Sequence, residues 1–531
     1  MCPLSMQCPL KRIGSLQALL ARLRPGRVSS QAPGGRPWFR PGVEQFEDRF
    51  LPAVSLLQNF ANINSNQTAV DTPPDTTMAV GPTAVIGAVD TAITLTDKTG
   101  NGRVGPTDFS SFFAAVSTAG DTFREPSIVY DDQANRFYIA IVEITSGFTT
   151  SQIDFAVSKG TAPATLGSGD WSVYAITEVN EGGTAFPDFP QMGWNNDAVF
   201  ISTNQTNTAS SHDHILALTK ASLFTGGPLT LNSSNVPIGS ARNILIPARM
   251  HNEVTGDLEY FVQSQGAVTS TMVSVVQETG YLSGPGSFTS TPLTVNSYNN
   301  SPGVAGLTGQ IDDRILSADW VDNGTTQHLV AAGNVGENGI NLARWYEFNA
   351  PTSGAPTLLQ QGDINLGPAI ATSYPSIALN PSDNIAITFL ENGNGQATSM
   401  YVTGRQATDP MGALETPILV KAGVLPATAM NRGGDYSATE YDPATPGNFW
   451  SANQFQLAAS GSNLDWGTQI AAYTFVPGPV LTPGANQSAS EGSARSFNLG
   501  SFSDPGTGPW SVTVNWGDGS MNNTSSAMSA G

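Results

Sequence analysis

One local pattern recurs along the chain and constrains its fold more than any other feature. A β-rich run ends in a turn of Asp, Asn, Gly or Pro, and a second apolar run follows within a few residues. Pro126-Ser127-Ile128-Val129-Tyr130-Asp131-Asp132 before Arg136-Phe137-Tyr138-Ile139-Ala140 is one copy. Pro375-Ser376-Ile377-Ala378-Leu379-Asn380-Pro381 before Ile385-Ala386-Ile387-Thr388-Phe389 is another. Further copies centre on Gly81, Asn195 and Asp442, and weaker ones on Asn252 and Asp319. The steps between these anchors are 50, 64, 57, 67, 61 and 62 residues. Each copy reads as strand, tight turn, strand, because Asp, Asn, Gly and Pro supply turn angles and the flanks are β-branched or aromatic. About sixty residues per unit leaves room for two more strands, and such units stack radially in a β-propeller. Helical solenoids are excluded because helix-period apolar stripes are missing.

The expected fold is therefore all-β: a seven-bladed β-propeller over residues 53–477. Its last copy supplies three strands near 437–442, 447–455 and 467–475. Ala53-Val54-Ser55-Leu56-Leu57-Gln58-Asn59-Phe60 is expected to add the fourth and tie the ring shut.

The region Pro73-Pro74-Asp75-Thr76-Thr77-Met78-Ala79-Val80-Gly81-Pro82, with Asp97-Lys98-Thr99-Gly100 and Glu125-Pro126 through Tyr130-Asp131, resembles a group of uncharacterised bacterial secreted β-propellers. That resemblance implies fold and export, not a reaction. Val43 to Ala53 resembles the short LEPR-XLL type leader that follows a basic arm in bacterial secreted and surface proteins. Residues 1–52 are thus expected to be an export leader without a packed core, and the protein secreted or at the bacterial cell surface. Residues 480–531 resemble the first part of a PKD-type Ig-like domain through Val512-Thr513-Val514-Asn515-Trp516-Gly517-Asp518-Gly519-Ser520. Their 52 residues are too few for a full sandwich, so 478–531 is expected to be an incomplete PKD-type β-sandwich, irregular from 521 to 531.

Charge narrows the partners. The 22 Lys and Arg and 42 Asp and Glu include eight and three within the first fifty positions, which leaves 14 and 39 beyond them. So acidic a body repels phosphate backbones, and no nucleic-acid partner is expected. No apolar run is long enough to span a membrane. Both cysteines, Cys2 and Cys8, lie at the start, so the body has no thiolate nucleophile and no Cys-based zinc site. A monomer is expected.

No GxSxG elbow, sialidase-type box, P-loop or dinucleotide fingerprint occurs, so no catalytic residue is assigned. His212-Asp213-His214 has the alternation of a metal pair but lacks a local third ligand, and reads as a solvated loop before Ile215-Leu216-Ala217-Leu218. Asp97 to Gly102 reads as a hairpin turn. Acids recur near the start of the first strand of several copies: Asp75, Glu125, Asp188, Asp313 and Asp435. In a propeller that strand lines the central channel, which would gather the five at one mouth as candidate ligand-binding residues. Clustered carboxylates raise one another's pKa unless a cation neutralises them. A Ca²⁺ ion or the partners Arg124 and Arg314 would do so; no other cofactor is implied. The bland alternative is that each acid accepts hydrogen bonds from its own turn. These features favour a non-enzymatic binding propeller for a glycan or a cell-surface protein. The second reading is a carbohydrate-active hydrolase or lyase that uses carboxylates at the channel mouth.

Overall fold

The computed structural model describes residues 6–7, 53–69, 71–145, 150–177, 186–206, 212–237, 244–254, 256–266, 268–300, 312–393, 396–424, 433–457, 465–476, 480–483, 496, 500–503, 510–514 and 523–528. The chain divides into two units, Val54–Phe475 and the pair Met1–Ala53 with Val476–Gly531.

The larger unit is a β-propeller built of four-stranded antiparallel meanders. The first runs Thr77–Val80, Ala84–Val89, Ala92–Asp97 and Val104–Asp108. The second runs Thr122–Asp131, Arg136–Ile144, Ser151–Ser158 and Trp171–Ile176. Others follow within 186–237, 246–299, 315–364 and 370–421. The last combines Ala438–Asp442, Thr445–Gln456 and Trp466–Val476 with Ala53–Asn64 from the other end of the chain. That strand is held by backbone and side chain alike: Ser65 N–H donates to Trp466 O at 3.0 Å, and Ile63 N–H to Thr468 Oγ1 at 3.0 Å. The inner segment Arg249–His251 pairs in parallel with Trp194 on one side and with Asp319–Val321 on the other, so three meanders share one continuous sheet.

In most of the inner hairpins one side chain caps the turn, while Gly81 closes its own by a backbone bond to Ala84 O. Asp131 Oδ1 accepts Gln133 N–H and Ala134 N–H at 3.0 and 2.9 Å. Asn195 Oδ1 accepts Asp197 and Ala198, and Asn380 Oδ1 accepts Ser382 and Asn384, all at 3.0 Å. Asp442 repeats the bond to Ala444 and Thr445. A short acceptor side chain thus replaces the backbone partner that a tight turn lacks. Asp97 does the same for Thr99 and Asn101. Asp319 does not. It lies inside the strand Ile315–Asp322, and the turn falls four residues later at Asn323, which caps Thr325 and Thr326.

Apolar faces pack between neighbouring meanders. Ile86, Ile93, Phe113, Ile128, Phe137 and Trp171 form one such layer. Val330, Trp345, Ile377, Ile387 and Phe389 form another, and Met78, Val85, Trp450 and Ile470 join the last meander to the first. Each fully buried side chain of this size stabilises by about 1.5–3 kcal/mol relative to exposure.

In the smaller unit, Val480–Pro483 pairs with Gly500–Ser503, and Trp510–Val514 pairs with both Met6–Gln7 and Asn523–Met528. The end of the chain was expected to be irregular and instead carries the strand Asn523–Met528, which pairs antiparallel with Trp510–Val514. Trp516 to Gly519, the leader-like segment 43–52 and the basic arm lie outside the described residues. Among the described residues no helix is long and apolar enough to cross a membrane.

Candidate channel-mouth site

The innermost strands begin in a shared and costly backbone geometry. Asp75 (φ 47°), Glu125 (59°), Phe189 (58°), Tyr374 (47°) and Asp435 (65°) all adopt the left-handed conformation. A non-glycine residue there costs roughly 1–2 kcal/mol. In three of these residues the backbone N–H turns away from its own sheet, toward an acceptor on the preceding meander. Glu125 N–H donates to Asp90 Oδ1 at 2.7 Å, Phe189 N–H to Glu125 Oε2 at 2.7 Å, and Tyr374 N–H to Asn334 Oδ1 at 2.9 Å. Gly434 permits the last of these turns: a Cβ there would lie 2.2 Å from the Tyr374 ring. Of the five acids, Glu125 accepts such a turn hydrogen bond, and the turn it holds belongs to the neighbouring meander.

The same arrangement brings carboxyl groups together. Asp75 is buried, and burial pushes its pKa well above the usual carboxylate range, with Asp90, Asp435 and Glu125 adding repulsion. Glu125 is raised in the same way, first by burial and then by Asp188, against the Phe189 N–H that favours its charge. Burial pushes Asp90 up to about 7. Four of the five sequence-derived acids, Asp75, Glu125, Asp188 and Asp435, act on one another here and on the Tyr436 phenol. Asp313 is buried and acts instead on Tyr298. The reason is register: the left-handed residues Asp75, Glu125, Phe189 and Tyr374 each stand six positions before their turn residues Gly81, Asp131, Asn195 and Asn380. Ser317 holds that place in its own copy, whose turn residue is Asn323, so Asp313 falls four residues too early.

Two aromatic rings lie beside these acids. Phe189 and Tyr436 come from different meanders and meet with centroids 4.8 Å apart. The Arg314 guanidinium lies over the Phe189 ring at 4.5 Å. Burial opposes its charge, but Asp312 beside it, then Asp435 and Asp188, hold it protonated. Its main bond is bidentate to Asp312, at 2.8 Å on both oxygens. Arg124, the other expected partner, pairs with Asp71 at 3.2 Å. Tyr436 Oη and Asp75 Oδ1 are buried without a hydrogen-bond partner. Among the described residues no set of three or more His, Cys, Asp or Glu side chains is disposed to hold a metal ion. The acids therefore do not fit the calcium site that their recurrence suggested.

Deeper in the channel lies a network that the sequence did not announce. Arg249 reaches across to Thr439 O at 2.9 Å and Ile377 O at 3.0 Å, with Asp319 at 3.4 Å and Glu440 at 3.5 Å. His251 sits between Asp132 (3.1 Å) and Asp319 (3.0 Å). Burial alone would lower its pKa, but the two carboxylates push it up to about 10. Glu440 in turn accepts Val80 N–H at 2.8 Å. These groups tie separate meanders to one another.

His212-Asp213-His214 is not a solvated loop. All three are buried in the strand His212–Thr219, where His214 Nδ1 meets Asn235 Oδ1 at 2.7 Å and Asp213 accepts Leu245 N–H at 2.8 Å. The loop reading failed because polar residues in a blade's third strand are satisfied by the next strand rather than by water. Asp90, Phe189 and Tyr436 were also missed. The six-residue offset from the turn would have found Phe189, while Asp90 and Tyr436 have no signal in the sequence.

No protein-family model matches the chain, and no curated protein is similar to it. Among solved structures it is similar to a protein of unknown function from Dyadobacter fermentans, at 9% identity over 68% of this chain and 96% of that one, TM-score 0.39. It is also similar to an arabinanase from Bacillus subtilis, at 14% identity over 56% and 100%, TM-score 0.31. A xylan β-1,4-xylosidase from Bacillus halodurans shows 8% identity over 80% and 99%, TM-score 0.30. At these values the likeness carries no argument about a reaction or a ligand.

Proposed function

We propose that the chain is a seven-bladed propeller, exported or held at the bacterial surface, that binds a glycan at the channel mouth without transforming it. One observation carries the reading. Carboxyl groups on four separate meanders lie within electrostatic reach of the Tyr436 phenol, which packs on Phe189, and Tyr436 Oη and Asp75 Oδ1 lack partners. Buried polar atoms are normally satisfied, so such atoms at a mouth await a hydroxyl or another donor. Carboxyl groups such as Asp75 and Glu125, pushed by burial toward the protonated form, can donate as well as accept, which suits sugar hydroxyls. The leader-like segment supports export. The absence of a recognisable catalytic motif favours binding over turnover.

A glycan array and a reducing-sugar assay on the full chain test this together. Binding to a defined set of glycans is expected, weakened about tenfold or more by Asp435→Asn, with no sugar released. Unchanged binding in that variant, or no glycan bound, would overturn it. The hydrolase reading rests on Glu125, whose carboxyl is raised beside Asp188. A carboxyl pair in unlike protonation states is what acid–base glycoside cleavage requires. Sugar release abolished by Glu125→Gln would establish that reading instead.

A further inference from the structure

Away from the mouth, the rim of the second meander carries a free strand edge with a groove along it. The strand Trp171–Ile176 ends its sheet and pairs with Ser151–Ser158; among the described residues no strand pairs with its other side. Lys159 N–H donates to Asp170 O at 2.8 Å, which sets the phase of the ladder. Bonded positions alternate in an antiparallel pair, so Ser172, Tyr174 and Ile176 bond to the neighbouring strand. Trp171, Val173 and Ala175 therefore point their N–H and C=O groups outward. A groove of about 650 Å³ sits there, and its lining includes Val116, Val173, Tyr174, Ala175, Leu229 and Leu231. Successive side chains of a strand face opposite ways. Val173 packs with Val116 on the layer shared with the first meander, and Tyr174 with Leu229 and Leu231 on the layer shared with the third. The edge thus runs between two apolar walls.

We infer that this groove receives one extended segment of a partner protein, which adds a strand to the second meander: an apolar run flanked by Lys or Arg. Three observations select that occupant. First, open strand edges recruit other strands, and proteins commonly blunt them with charge, proline or a bulge. Val104–Asp108 carries Pro106 and a register shift, and Ile418–Lys421 carries Lys421 and another. Trp171–Ile176 has no charged residue, no proline and no register shift. Second, the recessed edge admits a single chain. A second copy brings its own walls of Val116, Leu229 and Leu231, which keep two such edges apart. Third, no charged side chain lines the groove, so the inserted residues are apolar on both faces. Behind the Val116 wall stand carboxyl groups. Gln152 Nε2 donates to Glu143 at 2.6 Å and to Asp154 at 2.8 Å, and reaches Val116 O at 3.5 Å. Asp121, half-buried, lies beside Glu143. The chain beyond residue 50 holds 39 acids against 14 Lys and Arg, so a basic flank is drawn in and an acidic one repelled. Six residues span roughly 20 Å of edge. Main-chain hydrogen bonds supply the affinity of such strand addition, and the two walls choose the side chains.

The test is fluorescence anisotropy of the full chain with a labelled Lys-Thr-Val-Ile-Val-Ile-Thr peptide. The same peptide with its central amides N-methylated keeps every side chain and loses its donors; it should bind about tenfold or more weakly. Val173→Pro and Ala175→Pro each remove an outward N–H and no ladder bond, so the fold should hold and peptide affinity should fall by a similar factor. Leu231→Asp, which puts a charge in one wall, serves where proline disturbs the melting profile. Asp435→Asn at the mouth should leave peptide binding unchanged. No binding by the wild type, equal affinity for the methylated peptide, or binding that survives the edge and wall variants would overturn the inference. A loss as large in Asp435→Asn would move the peptide to the mouth and overturn it too. So would sedimentation showing a dimer of the free chain that the peptide does not dissociate, because a second copy then holds the edge.

Discussion

Replacing Arg249 with Met should be among the most damaging single changes in the propeller. The side chain is 7% exposed and spans the channel to two carbonyls and two carboxyl groups. Met keeps much of the volume, so the loss is of charge and hydrogen bonds rather than packing. Breaking one partner out of a buried pair costs about 3–5 kcal/mol, because the remaining charge stays in a dry site. For a unit of about 420 residues, an unfolding entropy near 2.1 cal/mol/K per residue turns this into a fall in Tm of roughly 3–6 °C. The effect should depend on pH with a definite sign. Burial pushes Glu440 up to about 7 even with Arg249 lowering it. A carboxyl whose folded pKa is raised stabilises fully below its unfolded value and loses that contribution as pH rises through the folded value. Without Arg249 the folded value climbs further, so Glu440 stays protonated at pH 6 and is penalised most at pH 9. Differential scanning calorimetry at pH 6 and pH 9 should show the larger loss at pH 9. A fall below about 1 °C at both values would refute the view that Arg249 neutralises the channel.

Gly434→Ala should lower the melting temperature and weaken mouth binding together, since a Cβ there collides with the Tyr374 ring and the residue sits at φ 88°. A chain starting after Asn64 should expose the edge of Trp466–Val476 and aggregate or unfold, and a peptide spanning 53–64 should restore its circular dichroism. Asp154→Asn should stabilise at pH 9 and lose that advantage toward pH 4. Burial and then Glu143 push Asp154 up to about 8, so its carboxyl contributes fully only below about pH 4. Equal stability of wild type and Asp154→Asn across that range, by urea melting, would contradict the shift.

What was legible in the sequence follows from physical range. Turn residues act within three positions of themselves, so Asp131, Asn195, Asn380 and Asp442 could be read one at a time. The closing strand was legible because the last copy lacked a fourth strand and Val54 to Phe60 had nowhere else to pair. Asp75, Glu125, Asp188 and Asp435 come within electrostatic reach of one another because the propeller brings the starts of its inner strands into a ring. Asp319 was misread as a turn because an Asp inside a strand is uncommon; it is tolerated there by His251 and by Leu379 N–H at 2.9 Å, contacts 68 and 60 residues away in the chain. Arg249 and Tyr436 were invisible for the same reason, since their partners lie across the channel and no local pattern marks them. The buried His212 and His214 show that polarity does not mean exposure where a neighbouring strand supplies acceptors.

The central claim is that sequence-distant inner strands form one binding mouth, and hydrogen–deuterium exchange with and without a glycan that binds on the array tests it most directly. Ligand should slow exchange together in the segments that hold Asp75, Glu125, Asp188–Phe189 and Asp435–Tyr436, while the outer groove lined by Val173, Tyr174 and Leu229 stays unchanged. Protection confined to that groove, or to one of the four segments alone, would contradict the account.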